Sequence, residues 1–313
     1  MLTLVGRRIA ITVPLVVIVS FLVFLMIDFV PGDPALRLAG DDPTPDRVEA
    51  IREQLHLSDP LVTRYLDWLG GLITGDFGRS FTTEQPVGEL LWDRLGVTVS
   101  LVVVSVVLMV LLGMALGIAA SVRPGGIADR AVTTVCSVLV AVPSFWLALL
   151  LVVFFAVDRP IFPAIGYSPI GDGVDLWLYH LVLPAVALAA TPAAELALQL
   201  RASLADVVRR DFVMAASARG MPRTQVIGKH ALKNAAVPAV TVLGFRLAEM
   251  VGGAVVIETV FTLPGLGPLT VDSVLSGDVP VLLGVVVLSV VWVALFNLLT
   301  DLSYLYLNPK VRT

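Results

Sequence analysis

The chain has 313 residues, of which 57% are hydrophobic and 15% are charged, and its formal net charge is −4. A soluble domain carries about 25% charged residues, so this composition excludes an ordinary soluble fold and indicates an integral membrane protein. The only cysteine, Cys136, excludes an internal disulfide and a cysteine-based metal site. Three scattered histidines do not predict a metal site either, and we expect none.

Six apolar runs predict six membrane-spanning helices, because a span needs about 20 apolar residues. The sixth, 234–257, contains Arg246 and Glu249, which stand three residues apart and therefore share a helix face on which they can pair. The first run is long for a signal peptide and no A-x-A cleavage pattern follows it, which predicts a retained anchor. The five uncharged runs are 9–27, 95–122, 131–157, 176–194 and 279–300.

Basic residues predict the orientation of these spans. With the N-terminus inside, the inner segments hold 13 Lys and Arg residues and the outer segments hold seven. Cytoplasmic loops of membrane proteins carry the excess of Lys and Arg. Both termini are therefore expected in the cytoplasm, and the inner segments are 1–8, 121–130, 201–235 and 301–313.

The outer segment, 28–94, is expected to contain two short helices and a turn. Prolines and a glycine at 31–34 end the first span. The helices are predicted at 45–57 and 60–72, and the turn at 75–80. This segment is interpreted as a cap on the helix bundle or as a contact for an extracytoplasmic partner, and the two are compatible. The second helix has one apolar stripe, formed by Leu61, Tyr65, Trp68, Leu69 and Leu72.

The inner segment, 201–235, is predicted to form a helix, a glycine turn and a second helix. The first helix, 211–219, is rich in small residues, Gly220 suits the position after its end, and Pro222 suits the first turn of the next helix. A small-residue helix can enter a narrow groove of a partner, with flanking basic residues fixing its orientation. Contact with lipid headgroups, or simply the excess of basic residues that cytoplasmic loops carry, is an equally good interpretation of the same pattern.

Polar and small residues inside the spans have both structural and functional interpretations. Arg246 and Glu249 either line a pathway or form a structural bridge, and Glu195 is expected to reach the membrane surface at the inner end of its span. Gly252 and Gly253 indicate either close packing or a kink near a pore. Kinks are predicted at Pro143 and Pro184, and close helix packing is predicted at Gly113 and Gly117.

Segment 212–220, with the sequence FVMAASARG, resembles the E-A-A-x-x-x-G loop of ABC importer permeases. Ala215, Ala216 and Gly220 match, whereas Met214 replaces the Glu and Ser217 replaces a common Arg. Further segments at family-like positions are similar to the B-type subunits of dipeptide and oligopeptide (nickel) permeases, so the resemblance covers nearly the whole chain. They are 30–34, 75–80, 85–87, 229–238, 258–261 with 264–267, and 307–312.

The resemblance implies an all-α polytopic membrane protein with the type I ABC importer permease fold. Residues 1–30 would form the N-terminal tail and first span, 31–94 the extracytoplasmic loop, and 95–313 a five-helix core with the coupling loop 201–235. The residues expected to couple to the ATPases are Asp211, Phe212, Ala215, Ala216, Arg219, Gly220 and Arg223. Those expected to line the translocation pathway are Arg246, Glu249, Gly252 and Gly253.

The implied function is that of a permease subunit which forms half of a peptide pathway across a bacterial-type cytoplasmic membrane. The implied partners are a second permease, two cytoplasmic ATPases that bind ATP and Mg, an extracytoplasmic solute-binding protein and membrane lipid, with no nucleic acid. The chain itself is expected to have no enzymatic activity and no cofactor, and it contains no Walker A sequence.

Three alternatives remain at the level of sequence. The first is a permease of the same family for nickel or another small solute. The second is an ion-coupled secondary transporter, which would need repeats and buried ionisable relays that the sequence does not display. The third is an intramembrane enzyme, but the sequence has neither an H-E-x-x-H nor a G-x-S-x-G pattern.

Overall fold

A computed structural model describes residues 2–28, 35–36, 44–54, 58–222 and 225–307. Within these ranges the regular structure is helical, apart from one isolated bridge between Arg79 and Pro86. A π-helical turn, Val153–Val157, follows the α-helix Ser144–Val152, and another, Val226–Ala231, leads into the α-helix Leu232–Val260. The α-helices are α1 (Leu2–Asp28), α2 (Pro45–Gln54), α3 (Leu61–Thr74), α4 (Val87–Val122), α5 (Ile127–Ala141), α6 (Ser144–Val152), α7 (Val174–Val208), α8 (Asp211–Ala218), α9 (Leu232–Val260), α10 (Leu266–Ser276) and α11 (Val279–Leu307).

Several predictions concern residues outside these ranges. They are the proline-glycine motif at 30–34, the last residues of the helix predicted at 45–57, the coupling residue Arg223 and the C-terminal motif at 308–312. The side chain of Ser217 also lies outside the described part of the chain.

The predicted all-α polytopic fold is confirmed, and most of the predicted spans coincide with long apolar helices. Within the described residues, four helices are long and apolar enough to cross a membrane: Val87–Val122, Val174–Val208, Leu232–Val260 and Val279–Ser303. The bent pair α5–α6 makes a fifth candidate. The first predicted span, 9–27, lies within α1, which is helical from Leu2 to Asp28.

The third predicted span is broken, where the sequence predicted only a kink. α5 and its π-extended partner α6 meet at an angle of 102°. Pro143 disfavours helical conformation in the residue before it, and Val142 is extended, with φ −86° and ψ 125°. Pro143 also lacks the N–H that would bond the carbonyl of Leu139. The hydroxyl of Thr191 in α7 donates to that carbonyl instead, at 3.2 Å.

The chain divides into two compact units. The first contains Met1–Thr98 and Pro264–Trp292, and the second contains Val99–Leu263 and Val293–Thr313. α4 and α11 therefore each contribute one part to either unit.

In the first unit, α3 packs on α1 and on the beginning of α11. The predicted stripe of α3 is confirmed, since Tyr65 is buried and the four other members are half-buried. The Tyr65 hydroxyl donates to the carbonyl of Val17 at 2.8 Å and lies 3.0 Å from the hydroxyl of Ser20. One aromatic side chain of the outer segment thus satisfies polar groups of the first helix while burying its ring.

The turn that follows α3 is fastened to the same unit by a buried carboxylate. Gly75 and Gly78 both have φ of 84°, which glycine adopts without steric cost, and the predicted turn at 75–80 is confirmed. Asp278, at the start of α11, accepts hydrogen bonds from the Ser80 hydroxyl at 2.5 Å and from the backbone N–H of Phe81 at 3.1 Å.

In the second unit, α7 is the central helix and contacts α5, α6 and α9. It continues through Pro184, so the predicted kink there is not a break. A Cβ at Gly113 would lie 2.8 Å from Leu196 Cδ2, and one at Gly117 would lie 2.9 Å from the carbonyl of Ala197. Both distances are shorter than real contacts, which confirms that the two glycines let α4 approach α7 closely.

Candidate functional site

The small-residue helix predicted in the inner segment is α8, and its end is defined by a glycine. Gly220 has φ of +79°, in the left-handed region that favours glycine. The N–H of Met221 donates to the carbonyl of Ala216 at 3.4 Å, the six-to-one bond of a Schellman motif. This confirms the prediction that Gly220 stands just past the last turn of the helix.

α8 has one face against its own chain and one face that is free within the second unit. Val213 and Ala216, three residues apart, are buried, and the helix contacts α7 and the π-helical turn Val226–Ala231. Ala216 therefore packs inside the unit and is not available to a partner. The other predicted coupling residues that the structure describes are exposed: Asp211, Phe212, Ala215, Arg219 and Gly220.

The second helix predicted in this segment is not separate. The π-helical turn Val226–Ala231 runs directly into α9, so residues 225–260 form one continuous helical stretch. The sequence between Gly228 and Pro238 contains no glycine or proline to end a helix, and its Ala, Leu and Lys residues favour helix. α8 is thus followed, after a short link, by the helix that contains the predicted span 234–257.

An ion pair joins the C-terminal half of α7 to the first turn of α5, and its carboxylate is buried whereas the arginine side chain is 35% exposed. Asp129 is 3% exposed and accepts hydrogen bonds from Arg201 Nη2 at 2.9 Å and from the N–H of Gly125 at 2.8 Å. The Arg201 guanidinium and the Gly125 N–H hold the pKa of the Asp129 carboxyl well below its usual range. Sequence reasoning counted Asp129 and Arg201 only as parts of the inner segments.

A second ionic cluster lies in the middle of the apolar part of the second unit. Arg246 Nη1 donates to Glu249 Oε2 at 2.5 Å, and Arg246 Nη2 donates to Glu195 Oε1 at 2.6 Å. Arg246 Nε also lies against Glu195 Oε2. The guanidinium is therefore shared by two carboxylates, one on α7 and one on its own helix, α9. Arg246 stands near the middle of α9, about 20 Å from either end at 1.5 Å per residue.

The predicted pair of Arg246 and Glu249 is confirmed, and the structure adds Glu195. The sequence suggested that Glu195 would reach the membrane surface, and that expectation is wrong, because a guanidinium on the neighbouring helix lies within hydrogen-bond distance. The sequence does contain a signal for this pairing. Glu195 is a lone acid at one apolar span, and Arg246 in another span has only one acid near it.

The two glycines predicted near this cluster have different surroundings. A Cβ at Gly253 would lie 3.1 Å from Leu188 Cδ1 of α7, so this glycine serves helix packing. A Cβ at Gly252 would meet nothing within 4 Å. The helix is continuous through both residues, so the structure favours the packing interpretation over a kink.

Two cavities adjoin the cluster. One, of about 410 Å³, is lined by Arg246 and Glu249 together with residues 140–144, where the bent span is broken. The other, of about 520 Å³, is lined by Glu195, Arg246 and the polar side chains of Gln199 and Thr241. Within the described residues, the three members of the cluster are the only charged groups that line either cavity.

Long apolar helices, a free small-residue helix and a charged cluster beside mid-membrane cavities define a polytopic membrane transport subunit. Comparison with known proteins identifies the family of this subunit. Residues 109–313 match the family model described as a binding-protein-dependent transport system inner membrane component, and residues 1–102 match the N-terminal model of the same system. The chain belongs to this family, the membrane-spanning permease subunits of ABC importers.

Curated relatives resemble the chain over its full length. A probable peptide ABC transporter permease of Sinorhizobium fredii is 39% identical over 98% of both chains. A glutathione transport system permease of Escherichia coli (strain K12) is 37% identical, over 100% of this chain and 99% of its own. An oligopeptide transport system permease of Bacillus subtilis is 33% identical over 98% of both.

Solved structures support the fold. A chain of the MetNI methionine ABC transporter, in inward-facing conformations, has a TM-score of 0.57 and 22% identity, covering 70% of this chain and 96% of that one. A chain of an amino acid ABC transporter has a TM-score of 0.51 and 15% identity, covering 68% of this chain and 94% of that one.

Proposed function

We propose that this chain forms half of a peptide translocation pathway in an ATP-driven importer, together with a second homologous permease. The curated relatives are named for peptides, oligopeptides and glutathione, itself a tripeptide, which favours peptides over nickel or another small solute. Two cytoplasmic ATPases would supply energy by binding ATP and Mg, and an extracytoplasmic binding protein would deliver the cargo. Both termini and α8 would face the cytoplasm.

The observation that carries this proposal is the charged cluster on α9. The side chains of Arg246 and Glu249 are 28% and 46% exposed in the single chain, in the middle of a membrane-spanning helix. A charge facing lipid at that depth costs at least about 2.5 kcal/mol. This face of α9 is therefore expected to meet a watery pathway or a second permease rather than lipid.

The broken span supports the same assignment. Non-helical backbone at membrane depth is tolerated where it is buried in protein or lines a water-filled cavity. Residues 140–144 line the smaller cavity beside Arg246 and Glu249. The Thr191 hydroxyl satisfies one carbonyl at the break, so the cavity wall is a stable feature of the fold.

The exposed face of α8 is proposed as the docking surface for an ATPase. Phe212 and Met214 are 43% and 53% exposed, and Ala215 beside them leaves room for another backbone to approach. Because α8 connects through a short link to the π-helical turn and α9, movement of the docked helix would reach Arg246 and Glu249 along one continuous element.

The test is peptide uptake by the complete importer in proteoliposomes, with ATP hydrolysis measured in parallel. We expect ATP-dependent peptide uptake for the natural chain. Ala215→Arg should abolish peptide-stimulated hydrolysis while the chain still inserts in the membrane. Ala128→Arg is the matched control, because Ala128 is another exposed alanine of the inner segments, outside α8. Equal uptake by the two variants would contradict the docking assignment.

A further inference from the structure

The charged cluster has one positive and two negative members, and its hydrogen bonds are used unevenly. Each of the three guanidinium nitrogens of Arg246 faces a carboxylate oxygen. A guanidinium has five N–H donors and no acceptor, whereas each carboxylate offers about four acceptor positions. The arginine is therefore largely occupied, and unused hydrogen-bonding capacity is concentrated on the carboxylates.

Glu249 is the member with the most unused capacity. Only its Oε2 contacts Arg246, at 2.5 Å, and the described part of the chain offers no partner for Oε1. Its side chain is 46% exposed, compared with 20% for Glu195. Glu249 also lines the cavity of about 410 Å³, a volume within the range of roughly 300–1,000 Å³ typical of small-molecule sites.

The side chains around the cluster do not neutralise its net negative charge. Within the described residues, the smaller cavity has no other cationic or anionic side chain, and its remaining polar groups include the hydroxyls of Ser144 and Thr191. With formal charges of −1, +1 and −1, the cluster carries a net charge of −1. An anionic group in this cavity would be repelled, whereas a cation would be attracted and could be held by Glu249 Oε1 and neighbouring oxygens.

We propose that the cluster of Glu195, Arg246 and Glu249 is a transient binding subsite for an ammonium group of the passing peptide, held chiefly by Glu249. This inference rests on the proposed peptide function. An unmodified peptide has an α-amino group with a pKa of about 7.7–8.0, so that group is mostly cationic at neutral pH. Transport also requires that the cargo leave again. Arg246 meets this need because it remains bonded to both carboxylates and limits their attraction for the cargo.

The experiment measures uptake of three tripeptides by the complete importer in proteoliposomes, at saturating binding protein. The peptides are Ala-Ala-Ala, Ala-Lys-Ala and Ala-Glu-Ala. The variants are Glu249→Gln, which removes the excess charge, and Glu249→Asp, which keeps it. Asp158→Asn is the control, since Asp158 is an exposed acid of the same unit that lines neither cavity. The binding protein is the same throughout, so its own preference cancels between variants.

We expect Glu249→Gln to lower the ratio of Ala-Lys-Ala to Ala-Glu-Ala uptake by roughly two- to fivefold, the effect of one partly exposed ion pair. Glu249→Asp should largely restore the ratio, and Asp158→Asn should leave it unchanged. A parallel loss of Ala-Ala-Ala uptake would assign the α-ammonium as the bound group, and its absence would assign the lysine ammonium.

Two results would count against these assignments, and they differ. A Glu249→Gln variant with an unchanged ratio and undiminished uptake of all three peptides would overturn the ammonium subsite and leave the peptide function intact. Failure of the natural chain to support ATP-dependent uptake of any of the three peptides would overturn the proposed function itself.

Discussion

The second unit contains two arginine–carboxylate clusters with opposite surroundings. Around Asp129, which is 3% exposed, one arginine, a backbone N–H and the Thr133 hydroxyl surround one carboxylate. Around Arg246, two carboxylates share one guanidinium, and all three side chains are 20–46% exposed beside cavities. The first cluster leaves its carboxylate no room for another partner, whereas the second leaves a carboxylate oxygen free.

On the function proposed above, this difference separates a structural fastening from a binding site. A buried ion pair is costly to break because removing one partner leaves the other charge buried and uncompensated. A cluster open to a cavity can lose a member with a smaller effect on folding, since water reaches the remaining groups. Both clusters involve α7: Arg201 lies in its C-terminal part, and Glu195 lies nearer its middle.

The largest expected effect comes from exchanging the two arginines for methionine separately. Arg201→Met should lower the membrane level of the chain several-fold and give the largest drop in Tm, because Asp129 stays buried without its guanidinium. Arg246→Met should keep a near-natural Tm and lose about tenfold or more in peptide uptake, because two carboxylates without their shared guanidinium would hold a cationic cargo too tightly to release it. Thermal unfolding in detergent and uptake assays measure these effects. The contrast would be refuted if Arg246→Met were the less stable of the two.

A second prediction concerns the broken span beside the open cluster. Thr191→Val should destabilise the chain by about 1–3 kcal/mol, the cost of leaving the Leu139 carbonyl unsatisfied. In a Pro143→Ala background residue 142 is free to become helical, and the new N–H can then bond that carbonyl, so the same substitution should cost less. The test measures the free energy of unfolding of the natural chain, of each single variant and of the double variant. An equal cost of Thr191→Val with and without Pro143→Ala would show that Thr191 does not compensate for Pro143.

A third prediction concerns the end of α8. Gly220→Ala should destabilise the link by about 1–2 kcal/mol, because an L-residue is strained at φ of +79°. Gly220→Asn should cost less, since asparagine tolerates this conformation. Gly70→Ala in α3 is the matched control: the site is helical with nothing within 4 Å of a new Cβ, so the change should not destabilise the chain. Peptide-stimulated ATP hydrolysis and Tm should fall together for Gly220→Ala alone.

The smallest expected effect is a dependence of stability on acid pH, produced by the Asp129 carboxylate. The pKa of Asp129 is lowered in the folded chain, so the unfolded chain binds more protons and stability rises with pH. The contribution is fully present above the ordinary aspartate pKa of about 3.9 and is lost as pH falls through the lowered folded value. Tm of the purified natural chain should therefore decline below about pH 4 more steeply than that of Asp129→Asn. If Tm fell equally with pH in the natural chain and in Asp129→Asn, the Asp129 carboxylate would not fasten the two helices.

Much of the fold was predictable because local chemistry determines it. Apolar runs, the turn at 75–80, Gly220 and the stripe of α3 each act through neighbouring residues or helix periodicity. The turn, the helix end at Gly220 and the stripe were confirmed, and within the described residues four of the six predicted spans, or five with the bent pair, coincide with helices long and apolar enough to cross a membrane. The resemblance of segment 212–220 to a permease loop likewise led to the family that the comparisons show.

The missed features depend on contacts between residues distant in sequence. Arg201 lies 72 residues from Asp129, and Arg246 lies 51 residues from Glu195. The break at Pro143 was underestimated because a sequence shows the missing N–H but not the hydroxyl of Thr191 that makes a full break tolerable. The buried side of α8 was also not visible, since Ala216 has the same side chain as its exposed neighbour Ala215.

The most direct test of the pathway assignment is the reactivity of a cysteine placed at Gly252. This position lies one helical turn beyond Glu249 on the same face, in open space. Cys136 is buried and is the only native cysteine, so a Cys136→Ala background gives a single reporter. Leu111→Cys on α4, where the native side chain is 62% exposed among other apolar residues, is the control.

In the assembled importer, a charged water-soluble thiol reagent should label Gly252→Cys at a rate that changes with the nucleotide state, and it should leave Leu111→Cys unlabelled. That result would place the open face of α9 in a watery, moving pathway. If Gly252→Cys reacted no faster than Leu111→Cys in every nucleotide state, the charged cluster would not line the route of the cargo.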